Sequence, residues 1–296
     1  MKYKTKGDKI FDIFNGIIMI IILILTFYPF WYCLIGSLNT GSDYMRGGVY
    51  FLPRVFTLAN YKAVFANEGL VQAFIVSIGR TVIGTFFHLV VTGMFAYAFS
   101  RNYLKGKNLY ATLGIITMYF GGGLIPTYLN MKMLGLIDNF LVYILPNLFS
   151  FWDVLILQTS FKEIPDSIIE SAKIDGAGEY TIFFKLIVPL SLPVFAVIAL
   201  FHAVFQWNSF FDAMLYTNSD YLQPIQYLLM KIIRNREAAV NVVSQFESLY
   251  RSRQEEVNST TLQLATMIVA TIPILCVYPF IQKYFVKGVM VGSIKG

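Results

Sequence analysis

An all-α integral membrane protein with six transmembrane helices is the fold class this sequence predicts, and three observations carry it. Of 296 residues, 56% are hydrophobic and only 14% charged, against roughly 25% charged in a soluble domain. The charges cluster. They leave charge-free runs between Asp12 and Asp43, Arg80 and Arg101, Lys107 and Lys132, Lys185 and Asp212, and Glu256 and Lys283, each about as long as the ~20 residues a helix needs to cross hydrocarbon. The excess of basic residues falls on one face of the resulting topology.

The first span opens the chain. Lys2, Lys4, Lys6 and Lys9 precede the apolar run Ile17 to Leu25, the charge order of a secretory signal. No small-residue cleavage site follows, and the run continues through Phe30 to Ile35. A retained span over about 12–37, behind a short N-terminus at 1–11, is therefore expected. The other charge-free runs place spans two, three, five and six at about 70–99, 109–129, 187–211 and 260–284. The fourth, about 139–161, is the weakest because Asp153 interrupts it. In span three, Gly121, Gly122 and Gly123 with Pro126 mark a flexible or closely packed stretch, close packing being the ordinary use of small residues between membrane helices. Cys33 and Cys276 lie in apolar runs and match no metal or redox spacing, so both read as small buried hydrophobes.

An even number of spans puts both ends on one side, and an excess of Lys and Arg marks the cytoplasm. The terminal face gathers Lys2, Lys4, Lys6, Lys9, Arg101, Lys105, Lys107, Lys162, Lys173, Lys185, Lys283, Lys287 and Lys295, whereas basic and acidic groups balance on the other. The whole formal charge of +6 sits on one face. A multi-pass cell-membrane protein with both termini cytoplasmic, including a tail over 285–296, is expected. The basic balance reports topology and not nucleic-acid binding.

Outside, residues 39–69 contain Gly47, Gly48, Pro53 and several aromatics, a composition expected of a structured segment along the membrane interface. Residues 216–259 form the larger outer insertion. There Lys231, Arg234, Arg236, Glu237, Glu247, Arg251, Arg253, Glu255 and Glu256 alternate in sign, as on a solvated helix face or a docking surface for an outside partner. Inside, residues 162–189 read as two short helices joined by a forced turn. Pro165 suits a first helical position and Asp166 the first turn, where the helix dipole favours a carboxylate. Ile168, Ile169 and Ala172 line one side, and Glu170 can meet Lys173 at i, i+3. Asp175-Gly176 ends this helix, since glycine accepts the left-handed backbone of a helix stop. A second helix is expected from Gly178 to about Val188, with Pro189 and Pro193 where the chain turns back toward the bilayer.

The string Glu170-Ser171-Ala172-Lys173-Ile174-Asp175-Gly176-Ala177, with Phe183, Ile187, Pro189 and Leu190 behind it, resembles the EAA loop of permease subunits in ATP-binding-cassette (ABC) importers. Ser171 stands where that family usually has a second alanine, and Val188 where it has leucine before proline. Phe51-Leu52-Pro53-Arg54-Val55-Phe56-Thr57-Leu58-Ala59-Asn60-Tyr61 resembles carbohydrate permeases of the MalG type. Gly121 to Tyr128, with the ending Tyr284 to Gly288 and on to Lys295-Gly296, is similar to the LplC/YtcP-type branch associated with complex oligosaccharides. The resemblance spans essentially the whole chain. It implies the type I ABC importer permease fold with a cytoplasmic EAA coupling loop. It also implies that Glu170, Ser171, Ala172, Asp175, Gly176 and Ala177 form the ATPase-coupling site, on a helix that docks into a groove of a separate ATPase. The implied assembly is this subunit beside a second permease, two ATPase subunits, an extracellular solute-binding protein and an oligosaccharide substrate.

The chain has no G-x-x-x-x-G-K-S/T phosphate loop, Gly106-Lys107-Asn108 being the nearest fragment. ATP and magnesium are therefore expected on the partner ATPase, and no cofactor or metal on this chain. His88 and His202 are solitary in the sequence, without H-E-x-x-H or G-x-S-x-G, and read as packing histidines. A transporter subunit, not an enzyme, is expected. Arg80 and Asp153 lie within spans two and four, where a charge costs about 2.5–3.5 kcal/mol on insertion scales. Either they pair with each other, or Arg80 faces the pathway and favours an acidic sugar. At the end of span five, Gln206, Trp207, Asn208, Phe210, Phe211 and Asp212 set polar groups among rings. That mixture fits a sugar path, with Arg80, Gln206, Trp207, Asn208 and Phe211 as its candidates, or the ordinary aromatic belt of a membrane interface. Two rivals to an ATP-driven importer stand. An ion-coupled secondary carrier needs ionisable relays within the spans, and a membrane-embedded hydrolase or transferase needs a nucleophile with its base, or a metal cluster, at membrane depth.

Overall fold

A computed structural model describes residues 6–234 and 257–292. Its helices are α1 (Lys6–Ser37), α2 (Gly41–Met45), α3 (Ala59–Ala66), α4 (Glu68–Ser100), α5 (Lys107–Tyr119), α6 (Leu124–Met133), α7 (Phe151–Lys162), α8 (Asp166–Ile174), α9 (Glu179–Ile182), α10 (Val188–Leu190), α11 (Leu192–Asn208), α12 (Phe211–Tyr216), α13 (Ile225–Arg234) and α14 (Ser259–Gly292). One isolated bridge, Asn39 to Phe56, is the only β pairing among the described residues.

Helices α1, α4 and α14 are each long and apolar enough to cross a membrane unaided. The 33 residues of α4 extend about 50 Å at ~1.5 Å each, beyond the ~30 Å hydrocarbon core. Three further spans are bent pairs: α5 with α6 at 115°, the 3₁₀ turns of Phe140–Asn147 with α7 at 52°, and Glu179–Leu190 with α11 at 85°. Counting each pair as one span gives the six-helix membrane fold.

The first and third breaks have a chemical cause. Gly123 enters α6 at φ 83°, a backbone that side-chain-bearing residues rarely adopt. A side-chain carbon at Gly121 or Gly123 would meet nothing within 4 Å, so Gly123 serves the bend, and the close packing expected of this stretch is not found within the described residues of this chain. Gly114 holds that role: a carbon there would lie 2.3 Å from the Phe151 ring. At the third break a π-helical turn, Phe183–Ile187, leads into Pro189, Ser191 and Pro193. Neither proline can donate to the helix ladder, and Ser191 leaves helical geometry at φ −102°, ψ 14°.

The chain packs as two units, residues 1–71 with 229–272 and residues 72–228 with 273–296. In the first unit, Asn60 ties the chain together. Its Nδ2 donates to the carbonyls of Ser37 and Asn39, each at 2.9 Å, and its Oδ1 accepts from Thr261 Oγ1 at 2.8 Å. Arg54 donates to Asp43 at 3.0 Å, so the segment 39–69 is structured. Along most of α1 the Ile, Leu and Phe side chains are exposed, a surface that only an apolar surrounding can cover. Cys33 is half-buried and Cys276 exposed, so the burial expected of both thiols is not found for Cys276. Of the sign-alternating insertion, Lys231 and Arg234 end α13, and residues 236–256 lie outside the described residues.

In the second unit, Tyr97 and Phe99 of α4, Phe151, Leu157 and Phe161 of α7, and Phe195 and Ile198 of α11 form one buried apolar cluster. Ile169 of α8 and Ile182 and Phe183 of the following turns insert into the same cluster. The loop 162–189 is thus seated on the ends of three membrane helices.

Candidate functional site

Helix α8 begins at Asp166, with Pro165 just outside it at ψ 132°. Its stop is a complete Schellman motif. Ala177 N donates to Ala172 O at 2.9 Å and Gly176 N to Lys173 O at 3.0 Å, while Gly176 adopts φ +80°. That left-handed residue is what the Asp-Gly pair supplies. Ala172 and Ala177 pack against the apolar cluster together with the buried Ile169. Glu170, Ser171, Asp175 and Gly176 are exposed, and so is Ile174, at 86%. The six residues expected to form the coupling site therefore share one short element, with its alanines inward and its polar members and Ile174 outward.

Two expectations for this loop are corrected. The second helix is not one uniform stretch from Gly178 to Val188: it is α9, then the wide π turn, then α10. Lys173 does not pair with Glu170 but with Glu179, at 2.7 Å. Glu179 also accepts from Tyr97 at 2.6 Å and Tyr103 at 3.0 Å, a set of donors that Glu170 on the outer face lacks. Partial burial pushes the Glu179 carboxyl up, but these three hydrogen bonds and the Lys173 charge outweigh it and hold it below the ordinary value. The hydrogen bond to Glu179 holds Lys173 above its ordinary value.

The pairing expected between Arg80 and Asp153 is also corrected. Arg80, fully buried, forms its ion pair with Asp212. Its Nε and Nη2 donate to Gln206 Oε1 at 3.2 and 2.9 Å, and its Nη1 donates to Ser209 O at 3.2 Å. The guanidinium also lies 4.3 Å from the centre of the Tyr143 ring. Asp153 is instead taken by His88 Nε2 at 3.0 Å, while His88 Nδ1 donates to Asn147 O at 2.8 Å. Both ring nitrogens of His88 thus face acceptors.

The two histidines that look solitary in the sequence stack face to face, with ring centres 3.9 Å apart. Arg80 fixes the orientation of Gln206, so the Gln206 amide N–H groups point to Tyr143 O at 3.0 Å and His202 Nε2 at 3.4 Å. Asp153, His88, His202, Gln206, Arg80 and Asp212 therefore form one continuous chain, buried between its two half-buried carboxylate ends, joining α4, α7, α11 and α12. Sequence spacing does not show it. The one available signal is that each member is a polar residue inside an apolar run, a cost that must be met by partners.

That chain changes the reading of the sugar-path candidates. Arg80 and Gln206 are fully buried and engaged with each other. Trp207 is buried beside a cavity of about 200 Å³ whose walls, including Ile78, Val82, Leu200 and Pro273, are apolar. Asn208 and Phe211 are exposed. The five do not converge on one polar cavity, and of the two exposed members Asn208 already donates to Val204 O at 3.0 Å. Among the described residues no group of His, Cys, Asp and Glu has the arrangement of a metal site.

No protein-family profile matches the chain. Individual relatives do. Protein LplC of Bacillus subtilis is 37% identical over 294 residues, covering 99% of this chain and 98% of that protein. The polygalacturonan/rhamnogalacturonan transport system permease protein YtcP of the same organism is 37% identical over 289 residues, covering 98% and 99%. A chain in the crystal structure of a bacterial ABC transporter involved in import of the acidic polysaccharide alginate superposes with a TM-score of 0.87 at 28% identity, over 96% of this chain and all of that one. Near-complete alignment in sequence and backbone, with a short capped helix where the EAA loop is expected, makes this chain a multi-pass membrane protein that belongs to the permease subunits of ABC importers.

Proposed function

We propose that this chain forms half of the translocation pathway of an ATP-driven, binding-protein-dependent importer for an oligosaccharide, with an acidic glycan fragment as the favoured class. The observation that carries the coupling part is α8: short, seated on three spans by Ile169 and Ala172, and ended at a left-handed Gly176. It has the form of a docking helix for a separate ATPase, through Glu170, Ser171, Ala172, Asp175, Gly176 and Ala177. The partners are a second permease subunit, two ATPase subunits that hold ATP and magnesium, and an extracellular solute-binding protein. Both termini lie in the cytoplasm, on the side carrying the basic excess.

The acidic class rests on the relatives. YtcP is named for polygalacturonan and rhamnogalacturonan, and the superposed structure belongs to an alginate importer. Arg80 gives it no support, because its charge is already met by Asp212. Reconstitution with and without the ATPase subunits tests the whole reading. Uptake of oligogalacturonides is expected only with ATPase, binding protein and ATP present. Uptake by this chain alone would favour the ion-coupled carrier, and product formation without transport the membrane-embedded enzyme.

A further inference from the structure

Glu179 lies outside the six residues of the coupling site, yet it is where the loop grips the membrane body. Its Oε2 accepts from Tyr97 OH at 2.6 Å and its Oε1 from Tyr103 OH at 3.0 Å and Lys173 Nζ at 2.7 Å. Tyr97 is on α4, Tyr103 just beyond the end of α4, and Lys173 on α8. Lys173 Nζ also lies 4.9 Å from the centre of the Tyr103 ring. A single carboxylate thus joins α8 to α4 across the start of α9. Apolar contacts such as that of Ile169 resist separation but have no direction, whereas short hydrogen bonds fix where the two parts sit.

The surroundings isolate this joint. A cavity of about 260 Å³ lies beside Tyr97, Tyr103 and Glu179, and another of about 380 Å³ beside Tyr103, Arg101 and Lys173. Only one other charged link crosses from the end of α4 to α8, Arg101 to Asp166 at 3.3 Å, among the described residues. The Lys173 and Glu179 side chains are 39% and 48% exposed, and exposed ion pairs contribute little to stability. The joint is therefore poorly placed to hold the fold and well placed to transmit a displacement.

On the reading that α8 docks an ATPase, we propose that Glu179 is a positioning residue that makes α4 follow α8.

The test uses the full chain with its second permease and ATPase subunits, in lipid nanodiscs. Cys33 and Cys276 are replaced by serine and Glu68→Cys is introduced at the first residue of α4, which is exposed and lies outside the expected span 70–99. Maleimide labelling is read with and without ATP and vanadate, alongside ATPase retention and hydrolysis. In E179A the ATPase subunits stay bound and hydrolyse ATP, while the ATP-dependent difference in labelling falls about five-fold, the lower end of ordinary coupling between sites. E179Q, whose one amide oxygen can still accept from Tyr97, recovers most of it, and Y97F behaves like E179A. An undiminished difference in E179A overturns the proposal, as does one in Y97F should E179A fail to fold. So does the absence of any ATP-dependent difference in the parent chain, since α4 would then not move. Loss of the ATPase subunits from E179A also overturns it, because Glu179 would then act in docking. A parent chain that binds no ATPase sinks instead the underlying reading of α8.

Discussion

The buried chain through α4, α7, α11 and α12 and the loop 162–189 use the same side-chain chemistry to opposite ends. In the interior, Arg80 is fully enclosed and its donors are spread over Gln206, Ser209 and Asp212. At the loop, Lys173 and Glu179 are more than a third exposed, and their partners come from three separate stretches of chain. A buried charge has no alternative partner in water and so fixes the geometry around it. An exposed one can exchange its partner for solvent, so it can be made and broken during a working cycle. The scaffold and the proposed joint are distinguished by exposure and not by residue type.

The largest effect is expected where the interior is broken. Asp212→Ala leaves Arg80 buried without its carboxylate and is expected to destabilise the purified protein by about 3–5 kcal/mol, read as thermal unfolding in detergent. Asp153→Ala removes one hydrogen bond from His88 and leaves its bond to Asn147 O in place, so a smaller loss of about 1–3 kcal/mol is expected. If Asp153→Ala proves the costlier change, Arg80 has been given the wrong partner. Next comes the contrast between glycines. Gly114→Val drives a branched side chain into the Phe151 ring, and overpacking of this kind costs about 1–3 kcal/mol. Gly121→Val meets open space and is expected to change stability by less than about 0.5 kcal/mol.

At the loop the effects move from stability to coupling. Gly176→Val forces a β-branched residue into φ +80°, a local strain of about 1–3 kcal/mol. Membrane insertion is expected to be intact, with weaker co-purification of the ATPase or less transport per ATP. Normal values for both would show that the turn is not a transmission point. The smallest effect is one of pH. Glu179 is held below the ordinary carboxylate value, so its contribution is fully present above the unfolded value of about 4.3 and is lost as pH falls through the lower folded value. Hydrogen exchange at α8 and α9 is expected to be unchanged from pH 7 to 5 after correction for intrinsic rates, and to rise only at more acidic pH. A rise already near pH 6 would place another titrating group at the joint.

Some of this was legible from local rules. The two ends of α4, Glu68 and Ser100, lie within two residues of the span expected at 70–99, and the Asp175-Gly176 stop appears in the structure as a left-handed turn. The triple-glycine stretch was legible as special but not as a bend, because glycine permits both close packing and unusual backbone, and only neighbours decide between them. Arg80 was legible as a charge in need of a partner, and the partner was not. Asp153 lies within an expected span and Asp212 just past the end of one, and sequence position says nothing about which way a side chain faces around its helix.

Taken alone, the sequence determined the membrane class, the number of apolar runs, the side on which basic charge collects and the residue types of the coupling loop. Those depend on composition and on interactions within a few residues along the chain. The tertiary structure decided that His88 stacks on His202, that Asp212 and not Asp153 meets Arg80, and that Glu179 reaches Tyr97. These contacts join residues 82 to 132 positions apart, and they are set by how the helices rotate and cross, which no local pattern encodes.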